Sequence, residues 1–157
     1  MQLLSLTIVL VLVEPVMIHA QAGKADFAGT WVLNEGKSTL PQGGGGQRMG
    51  GTNFPVAQDA NLLTQTRIGQ DGTPRIAKYT LDGKESLNTT RGGESKSTAK
   101  WSADGKTLTI ITKMTYEGNE RTSTSVWSLI NEKTLSIASA RQGQEGEVKT
   151  TLIYDKK

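Results

Sequence analysis

Apolar and polar side chains alternate with a period of two through the later part of the chain. Leu108, Ile110, Met114 and Tyr116 fall on one face of a segment whose other face carries Thr107, Thr109, Lys113 and Thr115. Val148, Leu152 and Tyr154 alternate in the same way with Lys149, Thr151 and Ile153, and Leu135 and Ile137 with Thr134, Ser136 and Ala138. Successive side chains of an extended strand point to opposite faces, so the alternation predicts half-buried strands. Abundant threonine agrees, because its branched β-carbon fits a pleated surface better than a helix. No stretch beyond residue 22 carries a helical period over ten or more residues.

Turn signals punctuate these segments at even spacing: Asp71-Gly72, Asp82-Gly83, Gly92-Gly93, Asp104-Gly105, Glu117-Gly118-Asn119, Asn131-Glu132 and Gln142-Gly143. Asp-Gly supplies the positive φ angles that tight hairpins need. Seven turns delimit eight strands, and Thr30–Leu33 adds a ninth. The predicted fold is all-β, a single antiparallel up-and-down meander. Left open, it would expose two long edges, so it is expected to close into a barrel of about eight to ten strands. The inward faces are lean, with Ser95, Ser97, Ala99 and Trp101 on one strand and Ser123, Ser125, Trp127 and Leu129 on another. Small side chains leave room inside such a barrel, where a ligand is expected.

The pattern fails between residues 36 and 58, where Gly43-Gly44-Gly45-Gly46 and Gly50-Gly51 favour a mobile loop over any regular element. Gly36-Lys37-Ser38 looks like the end of a phosphate-binding loop, but that motif needs glycine where Trp31 stands, and no strand-to-helix transition accompanies it.

Ahead of the meander, Leu3, Leu4 and the run Leu6–Val13 make an apolar stretch the length of a signal segment, too short to span a bilayer. Ala20-Gln21-Ala22 places small residues for cleavage after Ala22 or after Ala20. Residues 1–22 are therefore expected to be a signal peptide and residues 23–157 one domain, periplasmic or secreted, with no stable membrane insertion after cleavage. A bacterial source fits an exported chain without cysteine. The formal charge of +3 grows by one when Glu14 is removed, but the basic residues are scattered without the stripe that nucleic acid needs. A monomer is expected.

The sole histidine, His19, lies in the segment to be removed, and there is no cysteine. Ser-His-Asp and Cys-His catalysis, histidine- or cysteine-ligated zinc and the two-histidine iron site are thereby excluded from residues 23–157. The acidic residues sit mostly in or beside turns, as solvated loop residues do. The reading is a non-enzyme without a cofactor.

Phe27-Ala28-Gly29-Thr30-Trp31 resembles the Gly-x-Trp opening of lipocalins and the Phe-x-Gly-Thr-Trp opening of intracellular fatty-acid-binding proteins. Leu152-Ile153-Tyr154-Asp155-Lys156 resembles the last strand of the latter group. Gly29-Thr30-Trp31-Val32-Leu33-Asn34 with Lys37-Ser38, Tyr79-Thr80-Leu81-Asp82-Gly83-Lys84-Glu85 and Ala99-Lys100-Trp101 is similar to small secreted bacterial proteins with lipocalin-like domains. The resemblance implies that Phe27, Gly29 and Trp31 are structural, with Trp31 plugging the closed end. It also implies a carboxylate clamp of arginine and tyrosine on the last strand. Tyr154 matches the tyrosine, but Leu152 stands at the arginine position.

Other strands offer substitutes. Arg75 is in phase with Ala77, Tyr79 and Leu81, and Arg121 with Trp127 and Leu129. Facing inward, either guanidinium could hold an anionic head group; near strand ends, both could equally point to solvent. The candidate ligand contacts are Arg75, Tyr79, Tyr116, Arg121, Trp127 and Tyr154. Two function classes remain, a carrier of a small hydrophobic or amphipathic ligand and a protein-interaction or inhibitor module of the cell envelope. A roomy cavity favours the first, a filled interior the second.

Overall fold

Ten strands follow one another along the chain: β1 (Gly29–Leu33), β2 (Asn53–Gln58), β3 (Leu62–Ile68), β4 (Pro74–Thr80), β5 (Glu85–Thr90), β6 (Gly93–Trp101), β7 (Thr107–Tyr116), β8 (Asn119–Asn131), β9 (Thr134–Gly143) and β10 (Gly146–Lys156). They are seen in a computed structural model that describes residues 23–39, 53–69, 71–90, 93–116, 118–143 and 146–157. Residues 1–22, expected to be a signal segment, and the glycine tract within residues 40–52 lie outside the described residues.

Every ladder is antiparallel, and the sheet runs β4-β3-β2-β1-β10-β9-β8-β7-β6-β5. The chain is therefore an up-and-down meander whose first and last strands pair, as expected, to form a nearly closed barrel. The open seam lies between β4 and β5, which are hairpin neighbours in sequence but share no ladder. Burial alternates as the sequence pattern predicts: Leu108 and Ile110, Leu135 and Ile137, and Leu152 and Tyr154 are all inside.

Asp-Gly turns work as their chemistry demands. Gly72 and Gly83 take φ of 74° and 81°, conformations that a side chain disfavours. The carboxylates of Asp71, Asp82 and Asp104 accept from the N–H groups of Thr73, Lys84 and Lys106 at 3.1, 3.0 and 3.1 Å. These bonds satisfy donors that the reversing chain cannot pair.

β2 corrects the expectation of one irregular loop across 36–58. Phe54 and Val56 are buried between exposed Asn53, Pro55 and Ala57, a period-two strand interrupted in sequence by a proline. β3 pairs with β2 only from Val56 onward, so the missing N–H of Pro55 costs that ladder nothing. The loop's first residues are ordered too. Asn34 caps a 3-10 turn, Glu35–Lys37, and its amide donates to Asp155 Oδ2 at 2.6 Å. Lys37 Nζ lies 3.6 Å from Asp155 Oδ1, and Ser38 Oγ accepts from Ile153 N–H at 2.9 Å. Gly36-Lys37-Ser38 thus straps the outside of β10, where it packs beside Ile153, a buried residue on the outward face.

Candidate functional site

One end of the barrel is filled by aromatic side chains. Phe27, Trp31 and Phe54 have no exposed surface, and Trp127 and Tyr154 are nearly as buried. Phe27 stacks on Trp101 at 5.7 Å and meets Trp127 edge-on at 5.7 Å. Phe54 joins Tyr154 edge-on at 4.9 Å and Trp127 at 6.0 Å. The Trp31 indole N–H donates to Phe27 O at 2.8 Å, so the polar handle of the ring is satisfied within the plug. Gly29 has φ of 140°, and a β-carbon there would strike the Lys156 side chain, whose ammonium lies 5.4 Å over the Trp31 ring. Phe27, Gly29 and Trp31, the residues expected to be structural, meet at this end of the barrel.

The other part of the interior is a cavity of about 640 Å³, within the range of small-molecule sites. Buried Ser95 and Ser97 of β6 line it, with Ala77 and Tyr79 of β4 opposite. Small side chains leave the space, as the lean inward faces predict. Ile76 and Thr89 line it as well, although both occupy the outward phase of β4 and β5. The cavity therefore reaches the surface through the seam.

Side chains close that seam near the β4–β5 turn and leave it open beyond. Asn88 Oδ1 accepts from Lys78 N–H at 2.7 Å, and its amide donates to Lys78 O at 3.0 Å. Ser86 Oγ accepts from Thr80 N–H at 2.9 Å. Past Lys78 the strands part at Ile76 and Thr90, which border the mouth.

Of the fourteen described residues lining the cavity, two are charged, and both are arginine. Arg75 of β4 faces the mouth, 3.2 Å from Asp71 Oδ2. Arg67, directly opposite it on β3, lays its guanidinium 4.3 Å over the Phe54 ring. The Gln65 side-chain oxygen, in the amide orientation that meets donors, accepts from Arg67 Nε at 3.1 Å and Nη2 at 2.9 Å. Tyr79 stands two positions inward from Ala77. Burial pushes its hydroxyl above the usual tyrosine range, and the Arg67 charge draws it partly back.

The structure brings Arg75 and Tyr79 to the cavity and places the other candidates elsewhere. Trp127 and Tyr154 belong to the aromatic plug. Arg121 is exposed on β8, opposite Met114. Tyr116 ends β7, and its side chain lies outside the described residues. Arg67 went unnoticed in the sequence, although it shares a phase with buried Leu63 and Gln65. Its two-residue spacing from Gln65 was the available signal.

Chemically the site offers two guanidiniums, a phenol, an amide and hydroxyls. Among the described residues no three histidine, cysteine or carboxylate side chains gather as a metal would require. The arrangement suits holding a molecule: cations and hydrogen-bond donors at the mouth, with a mixed hydroxyl and apolar wall behind.

No family model matches the chain, and no curated protein matches it closely enough to count as a relative. Solved structures do match. Zebrafish ileal bile acid-binding protein complexed with cholic acid superimposes with a TM-score of 0.61 at 18% identity, over 83% of this chain and 98% of that one. A secretory abundant heat soluble protein from Ramazzottius varieornatus superimposes with a TM-score of 0.58 at 12% identity, over 83% and 95%. At such identities the likeness speaks for architecture. The chain shares their architecture, a nearly closed ten-stranded antiparallel barrel.

Proposed function

We propose that the protein is an exported, non-enzymatic carrier that holds one small amphipathic molecule in the barrel, reached through the β4–β5 seam. The observation that carries this reading is the cavity of about 640 Å³ with arginine at its mouth, in a barrel sealed at the opposite end by aromatic packing. A protein-interaction module would have no use for such a space. The bile acid-binding neighbour supports the reading, since a protein of the same architecture is there complexed with cholic acid, an amphipathic molecule.

Native mass spectrometry of the protein purified from its own host tests it. The expected spectrum shows a small-molecule adduct at unit stoichiometry that disappears on denaturation, with a polypeptide beginning at Gly23 or Gln21. A bare protein that also takes up no amphiphile from a lipid extract would overturn the carrier reading. A chain retaining residues 1–20 would overturn export by signal cleavage.

A further inference from the structure

Resting on the carrier reading, we infer that the lips of the β4–β5 seam are a docking surface for a lipid bilayer with anionic head groups, and that cargo passes between membrane and cavity through the docked mouth. Among the described residues five large apolar side chains stand exposed. Three of them, Ile68, Ile76 and Leu87, at 49, 52 and 63%, belong to the strands around the seam. The register brings them together. Ile76 lies two positions along β4 from Pro74, the direct cross-strand partner of Ile68, and Pro74 is itself exposed on the same face. Leu87 projects from the other lip, one residue before the Asn88 that bonds Lys78. Apolar side chains gathered in water stabilise nothing in the barrel itself, and such a patch marks an interaction surface.

The position of the patch selects its partner. Ile68 and Ile76 also line the cavity, so the outer collar is continuous with the wall behind it. An amphipathic cargo dissolves in membranes, and carrying it through water exposes its apolar body. Pressing the collar onto a bilayer removes water from that path. Charge agrees with this partner. The outward faces of β3 to β6 carry Lys78, Lys96 and Lys100 against Glu85 and Glu94, on a chain of formal charge +3. Lys96 is the cross-strand partner of Leu87 and lies 3.4 Å from Glu85 Oε1. Lys78 follows Ile76 on the same exposed face. Apolar side chains flanked by lysine suit the boundary between acyl chains and anionic head groups, where the lysine stem lies along the apolar layer and the ammonium meets phosphate.

Flotation with vesicles of phosphatidylcholine, alone or mixed with phosphatidylglycerol, tests the docking on the whole protein without cargo. The anionic vesicles should carry the protein up the gradient, and added salt should weaken the capture. Leu87→Ser should lower the affinity for them about tenfold, and Lys78→Gln and Lys96→Gln about fivefold each. Melting curves confirm that the variants are folded. Leu87 is not among the residues lining the cavity, so Leu87→Ser should take up N-phenyl-1-naphthylamine from solution as the unmodified protein does. Release of that dye from loaded protein should quicken in proportion to the concentration of anionic vesicles, and Leu87→Ser should lose most of this dependence. Absence of flotation, or flotation indifferent to Leu87→Ser and to both lysine substitutions, would overturn the docking and leave the carrier standing. A dimer in sedimentation that Leu87→Ser splits would give the patch to a second copy and overturn it equally. Release independent of vesicle concentration would overturn the passage through a docked mouth. Protein that floats as expected but takes up neither the dye nor an amphiphile from a lipid extract would confirm the docking and overturn the carrier.

Discussion

The side-chain amide of Asn88 bonds both backbone groups of Lys78, accepting from N–H at 2.7 Å and donating to C=O at 3.0 Å. It reproduces with one side chain what a β-ladder would do with a second backbone. Asn88→Ala should therefore loosen the seam at this point. Two backbone groups in a part-buried setting lose their partner, which costs up to about 1–3 kcal/mol. Hydrogen exchange at the Lys78 amide should quicken while amides on β8 and β9 keep their protection. Unchanged exchange at Lys78 would show that the seam is held by something other than this amide. The same contacts bear on Asn88-Thr89-Thr90, an N-glycosylation sequence: in the folded protein its amide nitrogen is buried and occupied.

Trp31 carries no exposed surface and bonds Phe27 O through its indole. Trp31→Ala removes both and leaves a cavity, at a cost of about 3–5 kcal/mol. Against a domain stability of about 5–15 kcal/mol, the variant should melt far below the parent or fail to fold. A Trp31→Ala protein that melts normally but no longer binds a dye would move the tryptophan from the plug to the site.

Gly69→Ala probes the β3–β4 turn. Gly69 does not adopt a positive φ, and the atoms nearest a new methyl group belong to the side chains of Asp71 and Arg75. The substitution should dislodge that ion pair, read as a shift of the Arg75 Nε–H resonance, with stability changed by less than about 1 kcal/mol. A large drop in melting temperature would mean that the β3–β4 turn cannot yield.

Acid should destabilise the barrel in a defined window. Hydrogen bonds from Thr73 and Lys84 N–H hold Asp71 and Asp82 below the ordinary carboxylate range. The Ser102 hydroxyl does the same for Asp104, and the Asn34 amide for Asp155. A carboxyl group whose folded pKa is depressed stabilises the fold above its unfolded pKa and loses that contribution as pH falls through the folded value. Melting temperature should then be flat from about pH 5 to 7 and decline below about pH 4. Asp155→Asn should flatten part of that decline.

The alternation of Leu108–Tyr116 and of Leu135–Ala138 made most strands legible, because one face of each is buried and the other is wet. β5 inverts that logic. Ser86 and Asn88 are buried, while Leu87 between them is 63% exposed. The buried polar groups are explained only by the missing β4 ladder, a relationship between strands that no local pattern encodes. Pro55 hid β2 for a similar reason, since its tolerance depends on where β3 begins to pair. At the site, the phase of Arg75 and Tyr79 could be read from β4 alone. The pairing of Arg67 with Arg75 required the register of two strands, which turn spacing left undetermined.

The aromatic plug gathers Phe27, Trp31, Phe54, Trp127 and Tyr154 at one end of the barrel, and of these Phe54 reaches Arg67 at the edge of the cavity. Most residues whose loss would unfold the chain are thus different from those whose exchange would alter what it holds. Mutations around the mouth can accumulate without passing through unfolded intermediates. For a protein engineer the same division makes the cavity lining rewritable while the aromatic cluster keeps the fold.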